Sequence, residues 1–286
     1  IDQQLTFSKL SIELIRVLGI EQLNRDILKT LELYSDQNGF NNAAALLADT
    51  NSFKGIDIIR FGNSINEIME RKSLENISIL LQMEQCIQMF HQYYRYEKIE
   101  GMDRKSVDKI PERAFREAVA NALVHRMWDI PASIKISMYS DKIEISSPGG
   151  LPAGISEDEY LNGQISLLRN PIIGNVFFRL KYIEKFGTGI MRINYAYKDA
   201  LIKPDYHIFS NSIQIILPVI KSDYKLNETE KKLLNILKIN GSMTRNEIEK
   251  AAEIDKSKAI RGLNRLIEKK MIQKRDLGRG TKYEIV

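Results

Sequence analysis

The chain has 286 residues, 43% of them hydrophobic, with 42 Lys and Arg against 37 Asp and Glu and a net charge of +5. That length exceeds the roughly 250 residues at which a single core usually stops growing, so two or more domains are expected. Cys86 is the only cysteine, which excludes an internal disulfide and a thiolate metal cluster; His91, His125 and His207 lack metal-ligand spacing; and no apolar run reaches the roughly 18 residues of a spanning helix, so a soluble, cytoplasmic protein without a membrane partner is expected.

The chain starts at Ile1 rather than at a methionine, and we expect it to be part of something longer. Residues 1–105 read as a mixed helical and strand lead-in segment. Residues 7–18 and 21–33 have helical periodicity, and residues 56–61 form a short apolar strand. Residues 74–96 predict a long amphipathic helix with Leu74, Ile77, Leu81, Ile87, Phe90 and Tyr94 on one side. That stripe is expected to pack on a sheet, with a dimer seam as the alternative.

From Pro111 the pattern sharpens. A proline at a first helical position opens a helix over residues 112–127. Glu117, Asn121 and His125 recur every four residues and share one face, while Phe115, Val119, Ala122 and Leu123 form the apolar face. A β-hairpin follows, residues 134–139 and 143–145 alternating across Ser140, Asp141 and Lys142. Next come a turn-rich loop, Ser147-Pro-Gly-Gly-Leu-Pro152, then Arg169-Asn-Pro171, then Glu184-Lys-Phe-Gly-Thr-Gly-Ile190 leading into another helix, and a closing strand over residues 212–218.

The positive charge is gathered at the far end. Residues 222–286 hold 11 Lys and 5 Arg against 3 Asp and 7 Glu, so this last quarter carries the whole excess. Such local basicity fits a polyanion-binding module or a solubilising lysine-rich face, and the spacing of the residues decides between them. Asn227-Glu-Thr-Glu230 is a capping-box start, followed by Leu233, Leu234, Ile236 and Leu237, with Gly241 at the helix end. Thr244-Arg-Asn-Glu247 repeats the box and opens a short second helix. Asp255 is placed to cap a third helix whose buried stripe is Ala259, Ile260, Leu263, Leu266 and Ile267. Two strands, residues 271–275 and 281–285, then close a hairpin across a glycine-containing connection. Helix, helix, helix, hairpin is the order of a winged helix. Lys256, Ser257, Lys258, Arg261, Asn264 and Arg265 project from the third helix away from its stripe, and Arg275, Arg279 and Lys282 decorate the wing; all nine are candidate contacts to double-stranded DNA. Winged helices also serve as protein-interaction modules, which is the competing expectation.

Taken together, Arg-Glu117-Ala-Val-Ala-Asn121-Ala-Leu-Val-His125-Arg, Pro148-Gly-Gly-Leu-Pro152, Arg169-Asn-Pro171 and Glu184-Lys-Phe-Gly-Thr-Gly-Ile190 resemble the ATPase-like domain of bacterial regulators often labelled "RecG-related ATP-dependent DNA helicase". That domain is similar to the GHKL superfamily of gyrase, MutL and histidine kinases. Proteins of this family usually carry a Schlafen-type, Alba-like domain ahead of the segment where this chain begins. The resemblance implies a GHKL-like (Bergerat) sandwich over roughly residues 1–220 and a role for Glu117 in activating the attacking water. It implies that the Asn121 oxygen binds magnesium on the phosphates of ATP. It also implies nucleotide contacts from Asn121, His125, Gly149, Gly150, Arg169, Asn170, Gly187, Thr188 and Gly189, the last three at a helix N-terminus where backbone amides approach phosphate. Related ATPases read adenine with the aspartate of an Asp-x-Gly-x-Gly loop. The corresponding stretch here, residues 144–150, has none, a loss of about 1.5–3 kcal/mol of base recognition. No Gly-x-x-x-x-Gly-Lys-Ser/Thr occurs, so strand unwinding by a P-loop motor is not expected.

These readings converge on an α+β protein with a lead-in segment over residues 1–105, a GHKL ATPase-like domain over 106–221 and a winged helix over 222–286. The function expected is a DNA-binding transcriptional regulator whose nucleotide-binding domain is degenerate. The rival is a GHKL-type ATP hydrolase whose cycle controls homodimerisation on DNA. A scaffold that has lost both ligands is the third option.

Overall fold

A computed structural model of the chain describes residues 3–101, 103–163, 167–184, 187–200, 202–220, 226–269, 271–276 and 281–285. Internal contacts divide it into two units, residues 1–220 and 221–286. The first unit begins with α1 (Ser8–Leu18), α2 (Arg25–Thr30), a ribbon of β1 (Tyr34–Ser35) and β2 (Gly39–Phe40), and α3 (Asn42–Leu47). Caps keep these helices short. Gly19 at φ 67° ends α1, and the Asn24 and Asn41 side chains accept from the Ile27 and Ala44 N–H groups to open α2 and α3. The helix expected over residues 21–33 is thereby confined to Arg25–Thr30.

The chain continues through β3 (Ile56–Phe61), β4 (Ile68–Leu74), α4 (Ile79–Tyr94), a second ribbon of β5 (Arg95–Glu100) and β6 (Asp103–Asp108), and α5 (Glu112–His125). Leu74 ends β4 instead of opening a helix, and α4 starts only where Ser78 accepts from the Leu80 N–H. Then follow β7 (Ile134–Met138), β8 (Lys142–Pro148), α6 (Glu157–Leu161), α7 (Pro171–Arg179), α8 (Gly189–Ala196), β9 (Asp205–Phe209) and β10 (Ser212–Pro218).

Six strands pair in the order β4-β3-β7-β8-β10-β9, antiparallel except for β3 against β7. Alternation along each strand turns one face inward. Ile58, Ile136, Ile145 and Ile215 stand in one row across four strands, and each is at most 4% exposed. Burying each such side chain contributes about 1.5–3 kcal/mol. Helices cover this face, with Phe90 of α4 stacked on Phe115 of α5 at 4.6 Å between ring centres. On the other face Lys135 is exposed. The unit is an α/β sandwich, and residues 1–105 supply two of its strands.

The second unit runs α9 (Glu228–Asn240), β11 (Met243–Thr244), α10 (Arg245–Ala252), α11 (Lys256–Glu268), β12 (Ile272–Asp276) and β13 (Thr281–Ile285). Both capping boxes form: Asn227 with Glu230, and Thr244 with Glu247. Asp255 caps α11 by accepting from the Lys258 N–H. The strands pair as β11-β13-β12, so a third, two-residue strand joins the hairpin expected from sequence. Leu233, Leu237, Ile248, Leu263, Leu266 and Ile272 fill the core, with Ile267 half-buried against it, while Ile260, expected in the buried stripe, is only half-buried. Glu230, 1% exposed, also takes Lys269 at 2.7 Å and so ties the start of α9 to the end of α11. No helix among the described residues is long and apolar enough to cross a membrane.

Candidate functional site

Alanines at positions 114, 118, 120 and 122 make α5 a slim helix that neighbours approach closely, and all four are buried. Its polar face carries Glu117, Asn121 and His125, which line one cavity. The start of α8 lies directly on this face. A Cβ at Gly189 would stand 2.5 Å from Asn121 Nδ2 and 2.9 Å from Glu117 Oε1, so any larger residue there would push these two side chains aside. Gly187, Gly150, Arg169, Glu184 and Tyr160 also line it, together with apolar side chains. Ile213 of the sheet also lines it, and a smaller neighbouring cavity of about 20 Å³, which shares Asn121, His125, Tyr160 and Ile213, is lined by Ile145 and Ile215 as well. The larger cavity measures about 70 Å³, below the roughly 300 Å³ of the smallest typical ligand pockets. A nucleotide therefore needs this cavity to widen.

Burial governs the charges. It pushes the Glu117 carboxyl up; Arg192 and Arg113 pull it back down and Glu184 adds to the rise. A carboxyl so placed holds its proton at higher pH than usual, which suits a group that exchanges protons with water. Burial, helped by the Arg169 guanidinium, pushes the His125 ring down to about 4, so the imidazole is neutral at physiological pH. Burial pushes the Tyr160 phenol up to about 12. The Thr188 hydroxyl is buried at the N-terminus of α8 with no hydrogen-bond partner among the described residues. An orphan donor beside free backbone amides fits an anion such as phosphate, and the Asn121 amide across from it fits a magnesium ligand. At the base-reading stretch the fit is poorer, because the Ser147 hydroxyl donates to the Ala122 carbonyl of α5 at 2.9 Å.

Two residues expected to touch nucleotide serve the scaffold. Asn170 does not join the cavity: its amide donates to the carbonyls of Val124 at 2.7 Å and Arg126 at 2.8 Å, closing the open end of α5. Arg169 lines the cavity but spends two donors on the carbonyls of His125 at 3.0 Å and Gly150 at 2.7 Å. Gly149, at φ 107°, lines the smaller neighbouring cavity, where a side chain would collide with Arg169 and Met127. Of the expected set, then, Glu117, Asn121, His125, Gly150, Arg169, Gly187 and Gly189 line one cavity, with the Thr188 hydroxyl buried between Gly187 and Gly189 in the chain.

In the second unit Lys256, Ser257, Lys258, Arg261, Asn264 and Arg265 are all exposed on α11, opposite its buried Ala259, Leu263 and Leu266. Arg265 lies 3.9 Å from Glu230, and Arg261 donates to the Ser257 carbonyl at 3.3 Å. On the wing Arg275 pairs with Glu284 at 2.6 Å and Lys282 is half-buried. Arg279 lies outside the described residues.

Sequence reasoning missed Arg113, Tyr160, Glu184 and Arg192 as members of the first site. Arg113 precedes Glu117 by four residues and Arg192 follows Gly189 by three, so helical spacing around the motifs was the available signal. Tyr160 had none, since its place depends on how the loop after β8 folds back.

Residues 132–217 match the family model described as "Putative ATP-dependent DNA helicase recG C-terminal", and residues 220–286 match "Sugar-specific transcriptional regulator TrmB". Glu117, Asn121 and His125 stand ahead of the first match. The crystal structure of the DIP2311 protein from Corynebacterium diphtheriae is similar across 100% of this chain, with a TM-score of 0.68 and 18% identity. This chain spans 62% of that protein's length. No curated protein matches it.

Proposed function

We propose that this chain, in which a RecG C-terminal-like ATPase domain is followed by a TrmB-type winged-helix domain, is a DNA-binding transcriptional regulator that meets duplex DNA through α11 and its wing. The observation that carries this reading is the exposed row of Lys256, Ser257, Lys258, Arg261, Asn264 and Arg265. Lysine and arginine there can neutralise phosphates, while Ser257 and Asn264 can reach base edges. Each phosphate contact releases counterions, so binding weakens steeply with salt. Replacing both Arg261 and Arg265 with alanine is expected to lower affinity for duplex DNA at least tenfold and to flatten the log–log salt dependence by about two. Fluorescence anisotropy across a salt series checks this, with a melting curve as control because Arg265 lies near Glu230. Binding by the unaltered protein that ignores both salt and the substitutions would defeat it.

A second reading is favoured by the meeting of Glu117, Asn121 and Gly189: the first unit binds ATP with magnesium, and its cycle opens and closes a homodimer on DNA. Asn121 would hold the ion, which neutralises phosphate charge when bound. The Gly187–Gly189 amides would hold the phosphates, and Glu117 would orient a water and accept its proton. Asn121→Ala is expected to weaken magnesium-dependent ATP binding at least tenfold by calorimetry. Absence of binding to the unaltered protein at millimolar nucleotide retires the reading, and the regulator proposal stands without it.

A further inference from the structure

We propose that Arg192 and Glu184 read the terminal phosphate of a nucleotide held at Glu117 and Asn121, the guanidinium attracting it and the carboxylate opposing it. This rests on the nucleotide reading above and adds to it a residue pair and a preference for triphosphate over diphosphate.

Glu184 lines the same cavity as Glu117, Asn121 and Gly189. Its carboxylate takes Arg192 Nη2 at 3.5 Å, which holds the guanidinium beside a residue of the cavity wall. Arg192 follows Gly189 by three residues and so lies on the same side of α8, one turn beyond the glycine that touches Glu117 and Asn121. The two side chains are 27% and 47% exposed, and a pair so open to water is weak and easily exchanged for another partner. A phosphate is the stronger partner for a guanidinium, since it accepts two parallel N–H bonds and carries more charge. The Glu117 carboxyl responds to Arg192, Arg113 and Glu184, so all four share one patch of field. Glu184 neutralises Arg192 until a phosphate competes for it. A terminal phosphate takes Arg192 over and leaves Glu184 in water, whereas a diphosphate, one group shorter, leaves the pair closed.

The test is calorimetric titration of the full chain with MgATP and with MgADP, for the unaltered protein, Arg192→Gln, Arg192→Lys and Glu184→Gln. Arg192→Gln is expected to weaken ATP about tenfold and ADP by less than twofold, the loss of one charge-assisted contact. Arg192→Lys should recover part of the ATP affinity, and Glu184→Gln should tighten ATP several-fold by freeing the guanidinium. A purely structural ion pair predicts instead that Arg192→Gln and Glu184→Gln both weaken binding and leave the ATP-to-ADP ratio unchanged, which overturns the inference alone. If neither nucleotide binds the unaltered protein, the nucleotide reading falls and takes this inference with it.

Discussion

Arg126→Ala is expected to destabilise the first unit by about 3–5 kcal/mol, through backbone carbonyls left unsatisfied and the cavity left behind. Arg126 is 1% exposed, among the largest fully buried side chains. Nη1 donates to the carbonyls of Lys54 and Gly55, and Nη2 to that of Ala132 at 2.7 Å. Burial pushes the guanidinium down to about 10, and the Trp128 ring lies 4.2 Å away. The location explains the size of the effect. Lys54 and Gly55 lead into β3 and Ala132 leads towards β7, the one parallel pair in the sheet. No hairpin turn can set the register of a parallel pair, so a side chain that grips the start of each strand does. Arg126→Met, which refills volume without donors, should recover only part of the loss in urea unfolding. A methionine variant as stable as the parent would show that the carbonyl contacts contribute nothing.

Acid should weaken the first unit through His125 before it does so through the carboxyls held below their usual range. The unfolded chain protonates this histidine near pH 6.5, whereas the folded protein keeps the ring neutral until about pH 4. Its contribution is therefore complete above about pH 6.5 and is lost as pH falls towards 4, at about 1.4 kcal/mol per pH unit and about 3 kcal/mol in all. Glu13 and Asp49 have carboxyls held below their usual range, so their losses come at lower pH, as protons return to those groups. His125→Gln is expected to flatten stability between pH 6.5 and 4 in denaturant titrations repeated across that window. An unchanged acid slope in the variant would assign the loss elsewhere.

Much of the architecture was legible because its causes are local. Asn227 with Glu230, Thr244 with Glu247, and Asp255 announce helix starts within four residues, and each of these caps forms. The strands at residues 56–61 and 212–218 were equally plain, since each is a short isoleucine-rich run of strand length. The face shared by Glu117, Asn121 and His125 follows from helical spacing alone. The start of α4 was not legible, because the pairing of Leu74 with Ile56 in the next strand outweighs the apolar periodicity around it.

The sequence by itself determined that a slim helix with a glutamate, asparagine and histidine edge is followed by glycine-rich loops, and that the chain ends in three capped helices with a basic outer side. Those properties depend on residues a few positions apart, where backbone geometry leaves little freedom. Only the tertiary structure decided that Asn170 and Arg169 grip the end of α5 from more than forty residues away, that Gly189 brings α8 down on Glu117 and Asn121, and that Glu184 of the cavity wall meets Arg192. The reason is physical: an amide or guanidinium has the same donors whether it faces a ligand or an unfinished helix, and only packing brings it to one of them.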